Sequence, residues 1–389
     1  MKKYEKTKYS CDLPFHHMAI RPDGQIFPCC YFRHEGVPED LNINHPDPFN
    51  HPFLQQLRES MKKDEYVHGC RQCYADEEVS GKSMRTDIAQ PWIDFGLPKA
   101  KDGRGEIVKL TNIDLSLSNV CNNKCRMCGP TLSTNWYSDA KKLGMYIPKG
   151  IISETHVIEQ YDLEELLFIK LLGGEPLMEQ EKLIRILDKC NLEQLTIFLV
   201  TNVTLAPSTK LKKQLDKLKR LQIQLSIDSY GEMNDFLRKG SNWNNVKNNI
   251  AYYRDEFSHA ELSIHSVASI YNVNLLHELI EYAIEENIPQ HYVLIDGPDW
   301  MRPRNLPDAV KKELIDYCKT YEKRYLNKEP NMSNASQIFK LMQHELSQSG
   351  NINEFIDNDL KLNTIRNESW RELNPWLWNR IHDKYTKQE

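Results

Sequence analysis

The chain has 389 residues, 40% of them hydrophobic and 27% charged, with a formal net charge of -5. This is the composition of a globular protein with room for two or three domains, and its acidic balance gives no general case for nucleic-acid binding. No apolar run reaches the roughly 18–20 residues of a membrane helix, and the opening MKKYEKTKYSC lacks the apolar stretch of a signal peptide, so a cytoplasmic protein is expected.

Residues 1–86 are dense in Cys, His, Pro and Gly and read as a small module stapled by metal. PDGQ is a turn between two extended stretches, HHMAI and QIFPC, and the hairpin it predicts brings Cys11 and Cys29 to one end. HGCRQC adds Cys70 and Cys73 as a CxxC knuckle. Cys30 makes a fifth thiol for four places, and a zinc knuckle recruiting His16, His17, His34 or His68 is the alternative use of the set. A helix is predicted over Leu54–Lys62 with Leu54 and Leu57 inward, and residues 87–105 read as a linker.

From 106 to 300 apolar strands alternate with amphipathic helices. Strands are predicted at Ile113–Leu117, Leu166–Leu172, Leu195–Val200, Ile223–Ile227, Leu262–Ala268 and Tyr292–Ile295. Helices intervene near Leu132–Leu143, Leu177–Leu187, Thr209–Leu218, Trp243–Arg254 and Leu275–Glu285. Such alternation implies an α/β fold with a parallel sheet and right-handed crossovers. In Lys210–Arg220, Leu211, Leu215 and Leu218 share one helix face, which leaves the lysines solvated.

Residues 301–389 read as a helical carboxyl-terminal region, with Val310, Leu314, Tyr317 and Tyr321 at core spacing and Arg366, Trp370, Trp376 and Trp378 in a last segment whose large rings dock on the α/β region. The Asn-, Ser- and Gln-rich stretch 329–353 is expected to be mobile. Cys190 and Cys318 fall in helical patterns and read as buried apolar thiols.

Eight of the ten cysteines gather at two places, which points to metal chemistry in a reducing compartment. The second place is CNNKCRMC, with Cys121, Cys125 and Cys128. Structural zinc takes four ligands, and neither a fourth Cys nor a His occurs between Ala100 and Ile152. A 4Fe-4S cluster on three cysteines leaves one iron open to a substrate or cofactor.

CxxxCxxC at a strand end resembles the signature of the radical S-adenosylmethionine (SAM) enzymes, in which the amino and carboxylate groups of SAM chelate that open iron. The resemblance implies an open, partial (β/α)6 TIM-like barrel with its chemistry at the carboxyl ends of the strands. Gly173, Gly174 and Glu175 follow the second strand, where the family contacts the SAM amino group. Thr201 ends the third strand, with Asn202 after it and Val203 where glycine is usual. Ser226 takes the place of a ribose contact and shares a strand face with Asp228. Arg238, twelve residues beyond Ser226, matches an arginine that pairs with the SAM carboxylate, and Asn272 falls at a further SAM contact. Met127 stands where an aromatic residue is frequent.

The spacing of Cys11, Gly24 and Cys29 resembles the opening of the SPASM and twitch modules, which carry an auxiliary 4Fe-4S cluster and in most of the family follow the barrel rather than precede it. This implies Cys11, Cys29, Cys70 and Cys73 as ligands, with Cys30 spare. The function implied is reductive cleavage of SAM to a 5′-deoxyadenosyl radical that takes hydrogen from a substrate, with electrons from an external one-electron donor such as flavodoxin or ferredoxin. SPASM and twitch proteins favour a peptide or protein side chain, by crosslinking, epimerisation or oxidation. A dehydrogenase or rearrangement enzyme acting on a sugar, aminoglycoside or nucleotide-type molecule is the alternative. A zinc-binding protein without catalysis is the third reading, and it leaves GGEP and Arg238 without a purpose. No residue is assigned as acid, base or hydrogen donor.

Overall fold

A computed structural model describes residues 7–33, 35–81, 83–86, 108–148, 158, 161–326 and 335–385. The expected linker 87–105, His34 and residues 329–334 lie outside them. The chain divides into two compact units, each with its own mostly parallel strands. The first unit comprises residues 1–119, 150–199 and 207–221, and the second residues 120–149, 200–206 and 222–389.

In the first unit, a short helix α1 (Leu13–His16) leads into β1 (His17–Ile20) and β2 (Ile26–Phe27). The turn between the strands closes as the residues dictate. Gly24 sits at φ 81, a conformation glycine adopts without strain, and its N–H bonds Arg21 O at 2.9 Å. β1 and β2 form the expected antiparallel hairpin, with Ala19 opposite Phe27. The helix α2 (Pro52–Lys62) buries Leu54, Leu57 and Met61, and α3 (Arg71–Ser80) begins within the CxxC knuckle.

The amino-terminal module is not held by metal ligands alone. β1 pairs in parallel with β3 (Asn112–Ser116), placing His17 beside Asn112 and Ile20 beside Leu115. The small size of the module hid this, because a four-residue strand carries too little pattern to announce a partner ninety residues away. β4 (Phe168–Leu172) and β5 (Thr196–Thr201) continue in parallel. Ile113, Leu115, Ile169, Leu171, Ile197 and Leu199 are at most 3% exposed, the alternate positions one packed face requires.

The second unit carries β6 (Arg220–Ser226), β7 (Glu261–Ala268) and β8 (Gln290–Leu294), all parallel. Five helices were anticipated between residues 132 and 285, the first three of them before β6. These three form as α4 (Tyr137–Lys142), α5 (Gln180–Leu187) and α6 (Thr209–Leu215), the second and third in the first unit, where Leu211 and Leu215 are buried under an outward row of lysines. A short α7 (Glu232–Leu237) was not anticipated. It precedes α8 (Trp243–Glu256) and α9 (Leu276–Glu285).

The carboxyl-terminal region is α10 (Asp308–Tyr325), α11 (Ala335–Leu346), α12 (Ile352–Arg366) and α13 (Pro375–Tyr385). The expectation of a mobile 329–353 is corrected for its described part. Ala335, Ile338, Phe339, Met342 and Leu346 bury one stripe of α11 beneath its polar residues, and Phe339 stacks on Tyr321 and Tyr325. Cys318 is buried, whereas Cys190 is half-buried at a helix end, its thiol donating to Ile186 O at 3.3 Å. No described helix is long and apolar enough to cross a membrane.

Candidate cluster and cofactor sites

In the first unit, Cys11, Cys29, Cys70 and Cys73 line one cavity with Leu13, Tyr31, Phe32, Met84 and Arg85. The sequence-expected ligands thus come together, and no histidine joins them among the lining residues. Burial raises all four thiols, Cys70 to about 12, with neighbouring thiols adding to the shift at Cys11, Cys29 and Cys70. Four thiolates in an apolar wall are stable only around a cation, which is the donor set of a 4Fe-4S cluster. Gly69 is needed where it is: a Cβ there would meet the Phe32 ring at 2.0 Å.

Cys30 points elsewhere. Its thiol hydrogen-bonds Asp114, which also faces His17 Nε2 at 3.6 Å and is held below the usual carboxylate range by His17, Lys170 and Cys30 against the pull of burial. The cavity has its own clamp. Arg85 donates twice to Glu77, at 2.6 and 2.7 Å, and to Ser10 O at 2.5 Å, so the segment that carries Cys11 is tied to the helix that carries Cys73.

At the carboxyl end of β4, Gly173 has φ 106, and a Cβ on it would meet Ser118 O at 2.4 Å. Gly174 N donates to the same oxygen at 2.8 Å. Only glycine lets the two strand ends approach this closely. Glu175 is 1% exposed and its carboxylate accepts from Leu177 N at 3.1 Å, capping the next turn.

In the second unit the loop of Cys121, Cys125 and Cys128 is stitched to the segment carrying Arg238. Lys124 N bonds Lys239 O at 2.7 Å, and Arg126 N bonds Leu237 O at 2.8 Å. Gly240, at φ 110, completes the contact, since a Cβ on it would meet Asn122 O at 2.6 Å. Arg238 therefore lies between two backbone bonds, its Nη1 4.0 Å from Cys125 Sγ and its Nε 2.8 Å from Asp228. Cys125 is held below the usual thiol range by a hydrogen bond from Cys128 and by Arg238, and Cys128 is correspondingly raised. Asn202 Nδ2 lies 3.8 Å from Cys121 Sγ and donates to Asn122 at 2.8 Å.

The remaining candidates divide. Asn272 is fully buried and its amide is spent internally, donating to Asp228 O at 2.7 Å and Val267 O at 3.0 Å and accepting from Ser269 N at 2.8 Å. It ties together the ends of β6 and β7. Asp228 accepts from Val267 N at 2.9 Å, while Ser226, at the end of β6, is half-buried beside His265 of β7. Thr201 Oγ1 accepts from Val203 N at 3.2 Å, and Met127 is half-buried.

Val203 itself has φ 65 and is fully buried. A β-branched residue in this region is strained by about 1–2 kcal/mol, which explains why the equivalent place favours glycine. Val203→Gly is therefore expected to cost only about 1–2 kcal/mol, since relief of strain offsets part of the lost burial. Val246→Gly, also buried but inside α8, is expected to cost about 3–4 kcal/mol. Urea midpoints of the two variants check this, and equal losses would mean that Val203 is unstrained.

Sequence reasoning missed Arg126, inside the cluster motif, and its carboxyl-terminal partners Asp359, Asn363 and Glu368. A signal existed: Asp359, Asn363 and Arg366 are spaced four and three apart, one polar stripe on α12.

Residues 115–283 match the model of the radical SAM superfamily, and residues 11–74 match an iron-sulfur cluster-binding domain. A search of curated proteins finds no match. Among solved structures, anSMEcpe with bound AdoMet is similar at TM-score 0.40 and 20% identity, over 55% of this chain and 60% of that one. SuiB of Streptococcus suis is similar at TM-score 0.37 and 15% identity, over 73% of this chain and 61% of that one. The chain thus spans about 60% of the length of these solved structures. Likeness at this level decides nothing about substrate.

Proposed function

We propose that this chain, which belongs to the radical SAM superfamily through residues 115–283 and carries an iron-sulfur cluster-binding domain at residues 11–74, is an enzyme that abstracts hydrogen from a peptide or protein side chain. The 4Fe-4S cluster and SAM of this superfamily together supply one electron and a carbon–sulfur bond, whose cleavage yields methionine and a 5′-deoxyadenosyl radical. Everything else falls to the protein. Cys121, Cys125 and Cys128 would hold three irons of the cluster and leave the fourth open. Arg238, fixed by Asp228 beside Cys125, sets a permanent positive charge next to the loop, suited to a carboxylate. Gly173, Gly174 and Glu175 form a strand end without side-chain bulk ahead of a buried carboxylate, suited to an ammonium group. Thr201 and Ser226 would line the nucleoside, while Asn272 and Asp228 hold the strand ends in register.

The observation that carries this reading is the loop itself: three thiols on one short segment, one of them, Cys125, 4.0 Å from the Arg238 guanidinium, with the segment stitched by backbone bonds. Residues 1–86 would hold the auxiliary cluster on Cys11, Cys29, Cys70 and Cys73, residues 106–300 the partial barrel, and 301–389 the helical extension. An external one-electron donor such as flavodoxin or ferredoxin would reduce the enzyme.

A peptide is favoured by the composition of one sheet face. In the second unit Ile223, Leu225 and Ile264 fill the packed face, while Gln224, Ser263, His265 and His291 alternate with them and are half-buried. Parallel sheets ordinarily bury both faces in apolar side chains, so a half-open polar row marks a site. Burial keeps His291 below the usual imidazole range and hence neutral. Neutral groups that both donate and accept suit amides better than phosphates.

Reconstituted without oxygen and reduced, the protein should release 5′-deoxyadenosine from SAM. Offered deuterated peptides together with an unlabelled pool of sugars and nucleotides, it should place deuterium in that product. With the labels exchanged, none should appear. Label arriving from the small molecules would establish the alternative, and a colourless zinc protein inert toward SAM would remove both.

A further inference from the structure

Arg126 lies between two of the cluster-loop cysteines, yet its fully buried guanidinium is held not by the thiols but by a polar network whose outer members, Asn363 and Glu368, are partly exposed. Nη1 donates to Tyr271 OH at 3.0 Å and to Asp359 at 3.1 Å. Nη2 donates to Asn363 and, at 2.5 Å, to Glu368. The plane stacks on Phe236, 3.8 Å from its ring centre. Asp359 collects four further donors: Tyr271 OH at 2.6 Å, Tyr385 OH at 2.7 Å, Asn363 Nδ2 at 2.9 Å and Trp370 Nε1 at 3.0 Å.

A second arm reaches the loop from the same helix. Arg366 bonds Asp139 at 2.8 Å and stacks on Trp136 at 4.6 Å, and Trp136 Nε1 donates to Cys125 O at 2.8 Å. Asp139 also holds Lys124 at 3.0 Å. Asp359, Asn363 and Arg366 thus present one face of α12 to both halves of the CNNKCRMC loop. All of these groups belong to one compact unit, while α12 lies beyond residue 283, where the superfamily match ends.

We propose that Asp359, acting through Arg126, is a positioning residue for the central cluster, so that the carboxyl-terminal helices are a working part of the cluster site. The proposal rests on the reading that Cys121, Cys125 and Cys128 hold a cluster. A carboxylate with five donors and no exposure has one stable position, and it transmits that position through a planar guanidinium to the backbone between Cys125 and Cys128. Partners that orient the ligands of a metal typically change its affinity or activity 10–100-fold when removed.

The test uses the full chain, reconstituted without oxygen, in a Cys29→Ala background that leaves the central cluster as the iron to be followed. Iron in the wild-type loop is measured first, and its absence would overturn both the proposed function and this inference. Asp359→Asn should release iron to a chelator at least about tenfold faster than wild type and shift the paramagnetic spectrum of the reduced cluster. Arg126→Lys, which keeps the charge but not the fork, should show the same change to a smaller degree. Glu368→Gln, at the 9% exposed rim of the network, gives a milder effect in the same direction and serves if Asp359→Asn does not fold. Arg380→Ala breaks an outer ion pair from α13 to Glu313 and should leave release and spectrum within about twofold of wild type, although it weakens helix docking. If Asp359→Asn, or Glu368→Gln in its place, lowers only the melting temperature and leaves chelation rate and spectrum unchanged, the network is scaffolding and the proposal is wrong.

Discussion

Replacing Cys121, Cys125 and Cys128 together by alanine is expected to abolish 5′-deoxyadenosine release and to lower bound iron from about eight to about four per chain. The loss should be complete because nothing nearby can substitute. No other cysteine and no histidine lies between Ala100 and Ile152, so the loop has no spare ligand. The four irons that remain should be those of the amino-terminal cavity, whose thiols sit in a compact unit of their own with Arg85 and Glu77 as clamp. The absorbance of that second cluster therefore survives in the triple variant. SAM cleavage that persisted after the substitution would show that the cluster assignment is mistaken, whatever the iron count.

The predicted strands were legible because a parallel sheet leaves a strong trace: short apolar runs alternating with amphipathic helices. Phe168–Leu172 and Thr196–Thr201 lie within about two residues of their expected limits. The cluster motif was legible for a different reason, since three thiols in eight residues have few structural uses. Illegible were contacts that depend on pairing over long distances. β1 has four residues and its partner β3 begins at Asn112, a separation no periodicity encodes. Arg126 reads in the sequence as an unremarkable basic residue, and only folding brings Asp359 to it, 233 positions away. Arg238 was expected opposite a cofactor carboxylate, and its observed partner Asp228 had been assigned to the same site from the same strand pattern. Val203 carried a signal that its identity concealed. The conformation there is one that glycine favours, and the valine keeps it through burial and the bond from its N–H to Thr201.

Cys29 and Cys30 are adjacent and chemically identical, so substitution of each should give opposite outcomes if the side-chain directions are as observed. Cys29 lines the cavity with three other thiols, and Cys30 hydrogen-bonds Asp114 beside the β1 histidine His17. Cys29→Ala is expected to lose about half of the total iron, because in the cavity walled by Leu13, Phe32 and Met84 no outside ligand, such as SAM at the central loop, takes the place of the missing thiolate, while 5′-deoxyadenosine release continues because the central loop is intact. Cys30→Ala should keep all of the iron. It removes one hydrogen bond from a carboxylate that retains His17 and Lys170 nearby, a loss of about 1 kcal/mol in stability. Iron analysis and absorbance of the two variants side by side decide the matter. Loss of the auxiliary cluster from Cys30→Ala, with Cys29→Ala unaffected, would exchange the two roles. It would require the chain after β2 to rotate by one residue, carrying Phe32 off Gly69, where its ring now occupies the space a Cβ would need.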